Sequence, residues 1–279
     1  MTVYAMTSLA GAPGVTTAAT ALAVHWPRPV VLIEADTSAA STVMAGFFRL
    51  NLRPTAGGIE RLSFAIARNA LEAEDILDPE LSLSIAVHEL PELRDYPIPA
   101  IPDGHRMWVI PGFASLSMVG GVQGLWRTLP LLLGALGAGG IDVIVDLGRL
   151  GIDDPRLALI DSADRVIINA EASVVDLNRS YRRLDLPDLN QRVAAGTTSE
   201  RFWALLKASA HEKFRTREFS DHVLPVLATL PHDPLGAAVF SHGRPDPKPA
   251  RNAYRGAVRR VVQDLQVLDA RNQDRSVTA

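Results

Sequence analysis

The sequence predicts an α/β fold, a mainly parallel sheet with helices on both faces, and three observations carry that expectation. Short continuous apolar runs alternate with segments of helical spacing, the pattern of strands covered on both sides by crossover helices. Two of those runs, Val30–Asp36 and Ile141–Asp146, end in acids, as strands delivering carboxylates at their C-terminal ends would. The chain also opens with an apolar run, a glycine-bearing turn and a helix of small residues, an order that aims backbone N–H groups at one point.

Taken in order, Val3–Leu9 reads as a strand, residues 10–17 as the turn, and Ala18–Val24 as the start of a buried helix. The Val30–Asp36 strand follows. Gly58–Ala70 has helical spacing, and the proline-bearing segment 85–106 reads as a surface connection. Met107–Ile110, closed by Pro111-Gly112, is a strand, and Leu125–Leu136 a helix despite Pro130. The runs Ile141–Asp146, Arg165–Asn169 and Val226–Leu230 complete the strands. Ser173 is a natural N-cap for a helix over Val174–Leu184. Between Leu184 and Val226 no strand is expected. Gly196–Glu200 is read instead as opening a helix that runs to about Phe214, and a last helix spans roughly Ala250–Leu268.

With 279 residues, 47% of them hydrophobic, the chain can bury one large core. A single domain over 1–268 is expected, with an atypical helical segment at about 186–220 and a flexible polar tail over 269–279. The net charge of −3 gives no global field toward nucleic acid or anionic lipid. The absence of cysteine removes disulfides, thiolate metal sites and thiol catalysis, and suits a reducing cytoplasm, the expected location. No basic leader opens the chain and no unbroken apolar span long enough to cross a membrane is present. The seven histidines show no ligand-like spacing. Arg251, Arg255 and Arg259 recur every four residues on the last helix, a stripe that could meet DNA phosphates or simply face solvent.

The chemistry concentrates in Ala10-Gly11-Ala12-Pro13-Gly14-Val15-Thr16-Thr17. A glycine turn entering a helix cradles phosphate with backbone N–H groups, and a hydroxyl at its end can hold Mg²⁺. Gly11, Ala12, Gly14, Val15, Thr16 and Thr17 are the candidate cofactor contacts. A loop of this kind ordinarily carries lysine where Val15 stands.

At these residues the chain resembles the ParA/MinD group of P-loop ATPases. Gly11, Gly14, Thr16 and Thr17 stand where that group has them. Glu34-Ala35-Asp36-Thr37-Ser38 stands at its first acidic strand end, and Val143–Gly148 looks like its Walker B strand. Ala163–Ile168 with the helix after Ser173, then Leu230-Pro231-His232-Asp233-Pro234 and Phe240–Pro245, resemble its later segments. The resemblance implies ATP or ADP with Mg²⁺: Thr16 and Asp146 as metal ligands, Asp36 as the catalytic candidate that orients water, and Pro231 beside the nucleotide.

The departures from the group's pattern bear on activity. Ala10 replaces its signature lysine, Val15 its phosphate-binding lysine, and Pro13 removes one N–H. Each lost charge-assisted contact costs about 1.5–3 kcal/mol. The missing apolar run after Leu184 also removes the strand that helps form the adenine pocket. The expected function is therefore a ParA/MinD-like positioning or adaptor protein, a pseudo-ATPase with weak or no hydrolysis, acting through a protein partner of secretion, pilus or cell-positioning machinery. Two alternatives stay open: a slow active ATPase that partitions DNA or cargo, its lysine supplied from elsewhere (Lys213 first), and an interaction domain with no cofactor. Self-association through the nucleotide face is implied by the resemblance alone.

Overall fold

The computed structural model describes residues 2–11, 14–49, 58–68, 71–90, 102, 104–197, 200–246 and 248–278. Eight strands form one sheet: β1 (Val3–Ser8), β2 (Val30–Glu34), β3 (Ile85–Ala86), β4 (Met107–Ile110), β5 (Asp142–Arg149), β6 (Arg165–Ala172), β7 (Phe202–Ala208) and β8 (Val226–Leu230). Their order is β3-β4-β2-β5-β1-β6-β7-β8. All pairs are parallel except β3 with β4. Sequence order reverses about β1: β2 lies to one side of it and β6 to the other, which opens a crevice beyond its C-terminal end.

Nine helices cover the sheet among the described residues: α1 (Val15–Val24), α2 (Ile59–Ala67), α3 (Leu125–Ala138), α4 (Leu157–Ser162), α5 (Val174–Leu184), α6 (Pro187–Thr197), α7 (Thr216–His222), α8 (Pro234–Ser241) and α9 (Ala253–Thr278). Strand residues alternate between two cores. Ala5, Ile33, Val145 and Ile168 pack with Leu62, Leu129, Leu159 and Phe219 from α2, α3, α4 and α7. Met6, Leu32, Ile144 and Ile167 pack with Leu22, Phe240 and Val258 from α1, α8 and α9. The expected two-faced α/β architecture is the one observed.

Three expectations need correction. The segment after Leu184 does contain a strand: Phe202–Ala208 is β7, inserted in parallel between β6 and β8. A seven-residue apolar run rich in Ala and Leu carries no periodicity that separates strand from helix; pairing on both sides decides it. The atypical segment is thus α6, β7 and α7 in turn, and Lys213 lies in the β7–α7 connection rather than in a helix. Within segment 85–106, Ile85 and Ala86 pair with Val109 and Trp108 and extend the sheet; prolines 91, 97 and 99 lie outside the described residues. The backbone of α9 stays helical to Thr278, past the boundary expected at 268. Asp269 anchors that turn, accepting from Arg165 at 2.6 Å and from the hydroxyls of Tyr4 and Thr2.

Candidate functional site

β1 delivers the turn at the point where the sheet reverses. Ser8 Oγ donates to the Gly11 carbonyl at 3.0 Å, and Thr7 Oγ1 donates to the Gly148 carbonyl at 3.0 Å. The first hydroxyl ties the loop to β1 and the second ties β1 to the end of β5. Gly11 and Gly14 have φ of +64° and +79°, the left-handed region where a side chain is strained. Gly14 N-caps α1, its carbonyl accepting from Ala18, and no side chain caps the first turn. The first-turn N–H groups of Val15, Thr16 and Thr17 are therefore available to an anion. Ala12 and Pro13 lie outside the described residues.

Val15 does not reach toward this turn as a ligand would. Its side chain is 4% exposed and belongs to the α1/α8/α9 core. A core contact stands where a loop of this kind ordinarily carries lysine. Ala10, 7% exposed, is likewise buried.

Glu34, Asp146 and Asn169 each follow by two residues a strand residue of the α1-side core, namely Leu32, Ile144 and Ile167. They form a polar ledge across β2, β5 and β6 under the loop. Glu34 and Asp146 are register partners, as are Ser8 and Asn169. Glu34 is fully engaged, accepting from Thr42 N at 2.6 Å, Thr42 Oγ1 at 2.8 Å, Val43 N at 3.2 Å, Gly112 N at 3.0 Å and the Ser41 hydroxyl. Its role is to fasten the 41–43 segment to the sheet.

Asp146 differs. It is wholly buried, and its Oδ1 accepts from Gly148 N at 2.9 Å while Oδ2 lacks a hydrogen bond. Burial pushes its pKa up to about 7, and the charges of Glu34 and Asp36 add to that, against the Thr16 hydroxyl and the Gly148 amide, which favour the ionised form. Thr16 and Asp146, the two candidate Mg²⁺ ligands, are thus brought together. The Asn169 side-chain oxygen is a second buried atom without a partner. An orphaned carboxylate oxygen beside a hydroxyl fits a hydrated Mg²⁺. No group of three metal-ligating side chains exists among the described residues, so the site offers two protein ligands and leaves the other positions to water or ligand oxygens.

Asp36 is half-buried and turns on itself, its Oδ1 accepting from Ser38 N at 2.8 Å and Ser38 Oγ at 2.7 Å. It shares the strand-end edge with Asp146. Pro231 follows β8 at the same edge, and Asp233 N-caps α8 through Gly236 N at 2.8 Å. Lys207, next to last in β7, is in register with Glu171 of β6, two strands from β1.

Arg156 was not singled out from sequence, and no motif marks it. It is 2% exposed, pairs with Asp154 at 2.6 Å, and donates to the carbonyls of Ala35 at 3.0 Å, Leu147 at 2.5 Å and Arg149 at 2.9 Å. Its guanidinium staples the ends of β2 and β5, one residue from Asp36 and from Asp146 respectively. The basic stripe, by contrast, is incomplete. Arg255 is buried, paired with Asp246 at 3.0 Å and stacked over Phe240, so only Arg251, Arg259 and Arg260 face outward. No helix is long and apolar enough to cross a membrane among the described residues.

The fold of this chain recurs in solved structures. The chain is similar to the septum site-determining protein MinD of Pyrococcus horikoshii complexed with Mg-ADP, at 14% identity, TM-score 0.66, covering 97% of this chain and 98% of that one. It has the fold of the MinD and ParA ATPases. A ParA family ATPase from Chlorobium tepidum matches at 15% identity and TM-score 0.63, covering 94% and 97% of the two chains. MinD in the MinC:MinD complex of Aquifex aeolicus matches at 13% identity and TM-score 0.53, covering 95% and 96%. No family model matches the sequence, and no curated protein matches it.

Proposed function

We propose that this chain is a ParA/MinD-like positioning or adaptor protein whose nucleotide site is degenerate, holding Mg-ATP or Mg-ADP weakly and hydrolysing it little or not at all. The observation that carries the reading is the burial of Val15 in the core at the position where a phosphate-binding lysine is needed. The α1 N–H groups would hold phosphate oxygens, and Thr16 with Asp146 would hold Mg²⁺. The metal, if bound, would supply positive charge that neutralises the phosphate. Arg156 keeps the two aspartate-bearing strand ends at fixed spacing. No lysine supplies charge at the loop itself, and loss of such electrostatic stabilisation weakens turnover more than binding.

A protein partner is the target this reading implies, in secretion, pilus or cell-positioning machinery. MinD is known in complex with MinC, and here exposed apolar side chains follow three strand ends on the loop side: Ile152 after β5, Val174 and Val175 after β6, and Leu235 after β8, each more than half exposed. That edge would serve a partner or a second copy. Titration with labelled ATP, with and without Mg²⁺, tests the nucleotide arm. Magnesium-dependent binding abolished by Thr16→Ala supports it; absence of binding at millimolar ATP leaves only the nucleotide-free interaction domain. Single-turnover assays decide between a pseudo-ATPase and the slow ATPase of DNA or cargo partitioning.

A further inference from the structure

α3 departs from the pattern of a surface helix. From Leu129 to Ile141 no side chain is polar, and a helix apolar on all sides belongs inside a core. One side of α3 is there: Leu129, Leu133 and Leu136 are buried in the core shared with α2, α4 and α7. The opposite side is bare. Leu131, Gly134, Ala135 and Ala138, spaced as one helical stripe, are all exposed, Leu131 at 75%. Gly134 lies inside the helix, where glycine is a poor residue, and a Cβ on it would meet nothing within 4 Å. No neighbour among the described residues requires glycine there, whereas a second helix laid along the stripe would gain close approach.

The stripe runs between two hollows. On the α4 side, one of about 380 Å³ is lined by Pro130, Gly134, Ala138, Ser162 and Asp164. On the other side, one of about 590 Å³ is lined by Leu77, Ala135 and Ile141 together with Glu72, Glu74 and Asp78. A low ridge with a groove on either side receives the side chains of a helix packed along it. The two flanks differ in charge. Asp164 is engaged, accepting from Val3 N at 2.8 Å, and Asp161 of α4 pairs with Arg192 at 2.5 Å. Glu72, Glu74 and Asp78 make no ion pair among the described residues, and no lysine or arginine among them lines that hollow. These carboxylates select among coverings. They repel anionic lipid, and a second copy presenting the same face would bring the same acids.

We propose that α3 is the docking seat of an amphipathic helix from a partner protein. That helix is apolar where it lies over Leu131, Gly134, Ala135 and Ala138, and carries Lys or Arg along the edge facing Glu72, Glu74 and Asp78. The seat lies on the sheet face opposite α1 and does not rest on the nucleotide reading.

The experiment uses the full chain and a synthetic amphipathic helical peptide, leucine on one face and lysine along its edges, against its glutamate counterpart. Affinity is read by calorimetry and the contact by amide NMR shifts. The lysine peptide is expected to shift amides of α3 and of residues 72–78, and the glutamate peptide to bind at least about tenfold more weakly. Neutralising the rim with Glu72→Gln, Glu74→Gln and Asp78→Asn together should cost the lysine peptide about tenfold, and Leu131→Ser a similar factor. Gly134→Ala should raise the melting temperature of the free chain yet weaken the peptide, a pair of effects that a merely structural glycine would not give. A lysine peptide that binds the neutralised variant as tightly as wild type, or shifts amides away from α3, overturns the proposal. Self-association abolished by Leu131→Ser overturns it in favour of a second copy, and Leu131-dependent binding to phosphatidylglycerol vesicles in favour of a membrane.

Discussion

Gly148 lies so close to Asp36 that a Cβ on it would fall 2.2 Å from the carboxylate Oδ2. The same glycine donates its N–H to Asp146 and holds φ at +56°. One residue thus sets the separation of the two strand-end acids, and only glycine meets both demands. Gly148→Ala is expected to destabilise the fold by about 1–3 kcal/mol through the left-handed backbone and the collision together. Adding Asp36→Ala should recover the collision part and leave the backbone part, which thermal melts of the single and double variants will resolve. Equal melts for Gly148→Ala and wild type would refute the close approach.

Asp146 makes the site pH-dependent in a definite direction. Its folded pKa is raised to about 7 from 3.8, so the folded state holds a proton that the unfolded state has lost between those values. Stability therefore falls as pH rises from about 4 to 7, and the penalty is fully present above 7. Asp146→Asn, which keeps an acceptor for Gly148 N, should raise the melting temperature at pH 8 by the equivalent of a few kcal/mol and change little at pH 4. A destabilised Asp146→Asn at pH 8 would show that the carboxylate is held by a partner rather than burdened by burial. Magnesium bound at Thr16 and Asp146 should reduce the variant's advantage.

His25 works from the acid side. Burial, with Arg255 and Arg259 next, lowers its pKa to about 3 from 6.5. Below 6.5 the unfolded chain takes up a proton that the folded chain refuses, so stability is lost as pH falls toward 3. Replacing His25 with Gln should flatten the acid limb of the melting curve between pH 6.5 and 4, with the neutral limb unmoved. An unchanged acid limb would mean that His25 is protonated in the fold.

Much of the fold can be read from the residues because its strands announce themselves chemically. Val30–Glu34 and Val143–Asp146 are apolar to their last residue and then acidic, which fixes both the strand and the end that bears the site. β7 does not: Phe202–Ala208 has the composition of either element, and only β6 and β8 on its flanks make it a strand. The site divides in the same way. Gly11, Gly14, Thr16, Asp36 and Asp146 stand in a local pattern that names their positions. Arg156 meets three carbonyls from two strand ends, and Asn169 is orphaned by tertiary packing; neither relation has a local signature. The stripe at Arg251, Arg255 and Arg259 misleads because spacing places residues on a helix face without saying what covers that face, and Asp246 with Phe240 covers Arg255.

Glu34 offers the sharpest test of how the ledge supports the loop edge. Its two oxygens receive donors only: Thr42 N, Thr42 Oγ1 and Val43 N on Oε1, Ser41 Oγ and Gly112 N on Oε2. Gly112 also packs its α-carbon against the carboxylate, where a Cβ would stand 3.1 Å away, so the segment after β4 is held as tightly as the 41–43 segment. Glu34→Gln keeps the shape but turns one oxygen into an NH₂ that must face at least two donors. The loss is expected to be about 2–4 kcal/mol, the scale of buried charged hydrogen bonds broken on one side. Because Ser41 to Val43 follow directly on the Asp36 turn, hydrogen exchange should accelerate at Thr42, Val43 and Gly112 while β1 and β5 amides keep their protection. Uniform acceleration across the sheet would mean that Glu34 supports the whole core, and no acceleration would mean that the segment is held by Val43 and Phe47 packing alone.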